Sequence, residues 1–121
     1  MVNQEKEVYI LISKQALDRI KNDRFVKQNR NWYESQIIML GKAPFERPKE
    51  RLGNFNVSPR GHEKRRIAWH LEIKENTIII FIDDLLYHIT EDKYVENWNI
   101  KVVNKKINLK DYGPYLPFVG L

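Results

Sequence analysis

The hydrophobic positions change period along the chain, and each change predicts an element. Residues 7–12, EVYILI, are β-branched and aromatic over a short run and read as a strand. Ser13 follows; its hydroxyl can accept a free backbone N–H and so open a helix. Ala16, Leu17 and Ile20 then fall on one helical face. A second helix is predicted from about Arg24 to Leu40, with Val26, Tyr33, Ile37 and Leu40 in one stripe. Gly41 stands where a left-handed C-cap is expected, and Pro44 forbids the helix to resume. Residues 42–61 hold Pro44, Pro48, Pro59, Gly53 and Gly61 and read as loop, with a short strand around Asn54 to Val57.

Period two takes over at residue 66. Ile67, Trp69, Leu71 and Ile73 alternate with Ala68, His70, Glu72 and Lys74, the pattern of a half-buried antiparallel strand. Glu75-Asn76 predicts a tight turn. Thr77 to Ile82 is apolar on both faces, as a central strand requires, and Leu85 to Ile89 continues it past Asp83-Asp84 across a bulge. After a polar stretch, Thr90 to Asn97, the residues Ile100, Val102 and Val103 lead over Asn104-Lys105-Lys106 into Ile107 and Leu109, a second hairpin. The apolar tail GPYLPFVGL is expected to dock on its own core or on a partner, since a free one would be a liability. The order predicts one α+β domain over residues 1–121. Its N-terminal strand and two helices pack on a curved, mainly antiparallel sheet, with a C-terminal strand or tail extension.

Composition narrows the chemistry. The chain has 121 residues, 42% hydrophobic and 12% aromatic, which suits a folded domain rather than a disordered one. It has no cysteine, which removes disulfides, thiolate catalysis and Cys-based zinc sites together. The longest apolar run, Ile78 to Ile82, is far too short for a membrane span, and MVNQEKEVYI lacks the pattern of a secretion signal, so a cytoplasmic location is expected. The charge is unevenly placed. Lys42, Arg47, Lys49, Arg51, Arg60, Lys64, Arg65 and Arg66 stand against Glu46, Glu50 and Glu63, so this segment carries the whole +5 excess of the chain. A polyanion is the natural partner of such a segment.

The segment ends in GHEKRRIAW, residues 61–69, where Lys64, Arg65 and Arg66 run directly into a strand. Three adjacent cations repel one another, so they read as solvated or as waiting for an anion. This arrangement resembles the RelE/YoeB-like bacterial toxins, small ribosome-dependent endoribonucleases neutralised by an antitoxin. The likeness is best over residues 50–89. A Glu precedes the second strand; Arg66-Ile67-Ala68-Trp69 stands where the family reads R-L-V-Y; Tyr87-His88 matches its Y-H pair; and Ser13 to Ile20 matches its S-x-x-A-L-x-x-I opening. The family's final aromatic is Ile89 here, so Tyr87 would take any role it has. The chain also runs about thirty residues past His88, where many members end. The resemblance implies an mRNA and ribosome substrate, an antitoxin partner and metal-independent cleavage, with no cofactor and no small-molecule ligand.

Cleavage by attack of a 2′-hydroxyl on the adjacent phosphate needs a base, cations for the charge on phosphorus, and an acid for the leaving oxygen. Arg66 is the expected clamp, because a guanidinium offers paired donors to phosphate and stays charged. Its plainer reading is a surface arginine. His88 is the expected acid, since histidine carries a proton near neutrality, against a strand-end histidine bonded to backbone. Glu50 is the base by the resemblance, against a solvated carboxylate. Tyr87 would stack on a base or touch the phosphate, against a sheet-face tyrosine. Arg51, Arg60, His62, Lys64 and Arg65 are the expected RNA contacts; Arg65 and Arg66 point to opposite faces and cannot share a phosphate. His70 reads as a solvated sheet residue, and Trp69 and Trp32 as core. Asp83-Asp84 is the only carboxylate pair beside the sheet and makes a weak case for a metal. The competing reading is a non-catalytic basic RNA-binding or protein-interaction domain; an anion-binding regulatory module is a third.

Overall fold

The first strand, β1 (Glu7–Ser13), ends in its own helix cap in the computed structural model, which describes residues 7–52, 55–59, 64–88 and 109–115. The Ser13 hydroxyl accepts the Ala16 N–H at 2.9 Å, opening α1 (Lys14–Asn22), and donates to the Asp83 carbonyl at 2.8 Å. One side chain thus starts the helix and ties it to the sheet.

The predicted second helix is two helices, α2 (Arg24–Gln28) and α3 (Arg30–Lys42), so the described residues hold three α-helices rather than two. Two short polar residues make the breaks. Asp23 leaves helical geometry at ψ 120°, ends α1, and caps α2 by accepting the Val26 N–H at 3.1 Å. Asn29 donates its side-chain amide to the Phe25 carbonyl at 2.9 Å, offering the backbone an alternative to the helical ladder. The expected stripe survives the break: Val26, Tyr33, Ile37 and Leu40 are all buried. Gly41 has a different role from the one expected. The helix passes through it to Lys42, and an added Cβ would lie 2.9 Å from the Ile10 Cδ1. Its bare backbone lets α3 close onto β1.

Among the described residues the sheet has six strands in the order β2-β3-β4-β5-β1-β6. The others are β2 (Glu50–Leu52), β3 (Phe55–Ser58), β4 (Arg65–Lys74), β5 (Thr77–Tyr87) and β6 (Tyr112–Pro114). Only β1 and β5 pair in parallel, so the sheet is mixed but mainly antiparallel. The β4–β5 hairpin turns at Glu75-Asn76 as predicted, with Glu75 in the left-handed region at φ 53°. Its register slips once: Trp69 faces Ile82, while Ala68 faces Asp84, leaving Asp83 as the extra residue of a bulge. The bulge shifts the alternation of β5, so Ile78, Ile80, Ile82 and Leu85 all join the core beneath the helices. Ile12, Ala16, Ile20, Tyr33, Ile67 and Trp69 complete much of that core.

On the reverse face Phe55, Val57, Ala68, Phe81 and Leu86 are buried too. This corrects the half-buried reading of β4: its first half is buried on both sides, and only the end near Ile73 is exposed. The tail begins as expected by docking on its own sheet. Tyr112–Pro114 pairs with β1, and the Tyr115 N–H donates to the Ile10 carbonyl at 2.9 Å. Residues 116–121 and the predicted hairpin strands from Ile100 to Ile107 lie outside the described residues; Leu109 opens a single 3-10 turn, Leu109–Asp111. Among the described residues no helix is long and apolar enough to cross a membrane.

Candidate functional site

The basic segment is folded onto the domain through its cations. Arg47 donates to the Gln36 side chain at 2.5 Å, and Lys49 lies 5.4 Å from the Trp69 ring centroid. Arg51 donates to Asn56 at 3.2 Å. Lys64 sits over Phe25 at 5.0 Å; Arg65 stacks on Trp32 at 4.4 Å and donates to Asn29 at 3.2 Å. The consecutive cations are therefore neither idle nor held only for an outside anion, the two alternatives the sequence offered. Lys64 and Arg65 anchor the start of β4 to α2 and α3 through aromatic faces. Arg60 and His62 lie outside the described residues.

Arg66 goes the other way. It pairs with Leu86 in register, whereas Arg65 pairs with Tyr87, so the two arginines leave opposite faces as expected. The Arg66 guanidinium crosses β3 to meet Glu50 of β2, Nη1 to Oε2 at 3.1 Å. The Arg66 side chain is 8% exposed and that of Glu50 46%, so solvent meets the pair from its carboxylate end. The side chains expected as clamp and base, sixteen positions apart, are thus in contact.

Tyr87 is not with them. It stacks on Phe25 at 4.4 Å and donates to the Asp23 carboxylate at 3.0 Å, on the helix side of the sheet. Burial, then Asp23, raises its pKa, so it is a neutral hydrogen-bond donor. His88 is half-buried just past the end of β5, and its N–H donates to the Lys64 carbonyl at 2.9 Å.

One cluster was missed. His70 is buried rather than solvated. Its Nδ1 lies 2.7 Å from Asp83 Oδ2, and Asp83 Oδ1 accepts a short hydrogen bond from the Tyr112 hydroxyl. The ring stacks on Phe81 at 4.4 Å and 2°, with Phe55 and Tyr112 edge-on. The Nε2 atom is buried and has no hydrogen-bond partner among the described residues. Burial raises the pKa of Asp83, partly offset by His70; burial and Asp83 raise that of Tyr112. The hairpin register was a usable signal. A turn at Glu75-Asn76 sets His70 opposite Phe81, two residues from the bulge at Asp83. Tyr112 arrives from a distant strand and had no local signal.

The neighbouring carboxylate belongs elsewhere. Asp84 accepts Arg19 Nε at 2.5 Å and Gln15 at 2.8 Å, both on α1. Burial pushes it up to about 6, with Arg19 pulling back. The two aspartates therefore do not converge, and the described residues hold no cluster of three metal-ligating side chains. No family model, curated protein or solved structure matches the chain, so the reading of the site rests on its own residues.

Proposed function

We propose that the protein is an endoribonuclease that cleaves mRNA, on the ribosome as the resemblance to RelE/YoeB-like toxins implies, by metal-independent attack of a 2′-hydroxyl. An antitoxin is the protein partner this reading calls for. The observation that carries the reading is the Glu50–Arg66 contact at 3.1 Å across three strands. A guanidinium that can grip the scissile phosphate then adjoins a carboxylate that can take the 2′-hydroxyl proton. The acid is a histidine, and the sequence names His88. The test is to map new 5′ ends in cellular mRNA after brief expression. Ends inside translated frames, absent with Arg66→Ala, are expected. Undiminished cleavage by that variant, if folded, overturns the assignment of Arg66.

A second reading is a non-catalytic RNA-binding or protein-interaction domain. It draws on the side-chain commitments: Tyr87 and Arg65 are engaged on the helix side, and Arg66 is almost wholly buried behind Glu50. It predicts salt-dependent RNA binding without new 5′ ends.

A further inference from the structure

The Glu50–Arg66 pair is built unevenly. Arg66 pairs with Leu86 of β5, its guanidinium lies across β3, and its side chain is 8% exposed. Glu50 opens β2, a strand of three residues that pairs with β3 and borders the described sheet. Its side chain is 46% exposed. The two members are therefore not equally free to move. The guanidinium would carry a buried charge away from its counterion, which is costly. The carboxylate has only to turn out into water, and the backbone pairing of β2 can stay as it is.

The contact also engages the atoms that the proposed reaction needs. Arg66 Nη1 donates to Glu50 Oε2 at 3.1 Å. A donor fit for phosphate is thus given to a carboxylate, and an oxygen fit to take the 2′-hydroxyl proton is given to a guanidinium. Solvent meets the pair from its carboxylate end, so an anion on that path meets the charge of Glu50 before that of Arg66.

We infer that the Glu50–Arg66 contact is an autoinhibitory latch, closed in the free protein and opened when an RNA phosphate displaces the Glu50 carboxylate from Arg66. The inference rests on the endoribonuclease reading and deepens it: the phosphate takes the place of Glu50 on Arg66 instead of binding beside a closed pair. Opening costs free energy, and contacts to more distant parts of the RNA offset it. Lys49 and Arg51 adjoin Glu50 along the chain, and both are exposed. Alternation sets them over the other face, where Lys49 lies near the Trp69 ring and Arg51 donates to Asn56. An RNA strand that rounds the border at β2 meets both cations and Glu50 together. A lone phosphate ion makes no such contacts and leaves the latch closed. Displacement also releases Oε2 from Arg66, so the base becomes available only when a long substrate is in place.

The experiment titrates the wild type, Glu50→Gln and Glu50→Asp with an uncleavable 2′-O-methyl oligonucleotide, and separately with inorganic phosphate. Fluorescence anisotropy reads the oligonucleotide; NMR reads the Arg66 guanidinium and the Glu50 carboxyl carbon. Asp keeps the charge but is about 1.5 Å too short to hold the latch, so it separates displacement from plain repulsion. Both variants should bind the oligonucleotide about fivefold or more tightly than wild type. Phosphate should reach Arg66 in the variants at concentrations that leave the wild-type signals unmoved. A Glu50→Asp variant that binds the oligonucleotide like wild type overturns the inference. So does a wild-type titration in which RNA shifts the Arg66 signals and leaves the Glu50 carboxyl signal in place. That second arm needs no variant and decides the matter should a substitution unfold the protein. Cleavage of ribosome-bound mRNA by the wild type is measured alongside. If it cleaves, the endoribonuclease reading stands whatever becomes of the latch; no cleavage overturns the reading and the inference that rests on it.

Discussion

Replacing Glu50 by Gln separates two roles that a crude loss of activity would merge. The carboxylate neutralises Arg66 at 3.1 Å, and it is the proposed base. Gln keeps the shape and one accepting oxygen but drops the charge and the basicity. Glu50 is 46% exposed but Arg66 is buried, and Gln keeps a neutral accepting oxygen for the guanidinium, so the fold should lose about 1–3 kcal/mol, the scale of a hydrogen bond to a charged group. A phosphate gripped by Arg66 would lie about 4 Å from the carboxylate, where two like charges in water cost about 1 kcal/mol. The variant should therefore bind RNA about fivefold more tightly. Its cleavage rate should fall by about 100-fold or more, as removal of a general base does. Fluorescence anisotropy on an uncleavable 2′-O-methyl oligonucleotide gives the first number, and single-turnover cleavage gives the second. Tighter binding with slower cleavage is the signature. Cleavage within threefold of wild type refutes Glu50 as base, and unchanged or weaker binding refutes Arg66 as the phosphate site.

Asp84 makes a pH prediction with a definite sign. Its pKa is raised from 3.8 to about 6 in the fold, so its ionisation costs stability as pH rises through that window, about 3 kcal/mol once complete. Wild type should gain stability relative to Asp84→Asn as pH falls from 7 to 4; denaturant melts at both pH values that show equal differences would contradict the assignment. Gly41→Ala adds helix propensity worth up to about 1 kcal/mol but drives a methyl against Ile10 Cδ1, so it should be near neutral alone. In the Ile10→Val background, which removes that atom, Gly41→Ala should stabilise; additive melting shifts across the four proteins would show that no contact couples the two. Trp69→Phe should cost about 2 kcal/mol, from lost volume and from Ser58, whose hydroxyl accepts the indole N–H at 3.0 Å. A Tm unchanged within a degree would exclude that packing.

The sequence by itself determined the local elements and their apolar faces. The strand at EVYILI, the Ser13 cap, the stripe of Val26, Tyr33, Ile37 and Leu40, the Glu75-Asn76 turn and the bulge near Asp83 were all legible. Each is dictated by neighbours within a few residues, through side-chain period and local hydrogen bonding. The break at Asn29 was written locally too, in a side chain that competes for a helix carbonyl, but the stripe running across it concealed the break. What only tertiary structure decided depends on which strands become neighbours. Gly41 looked like a cap until β1 proved to lie against it. Strand alternation already sent Arg65 and Arg66 to opposite faces in the sequence, but only the fold set one onto Trp32 and the other to Glu50. His70 looked solvated because β4 alternates, yet the bulge on β5 and the return of Tyr112 beside β1 bury it with a carboxylate. A side chain's period gives its face; what covers that face is set by chain segments many residues away.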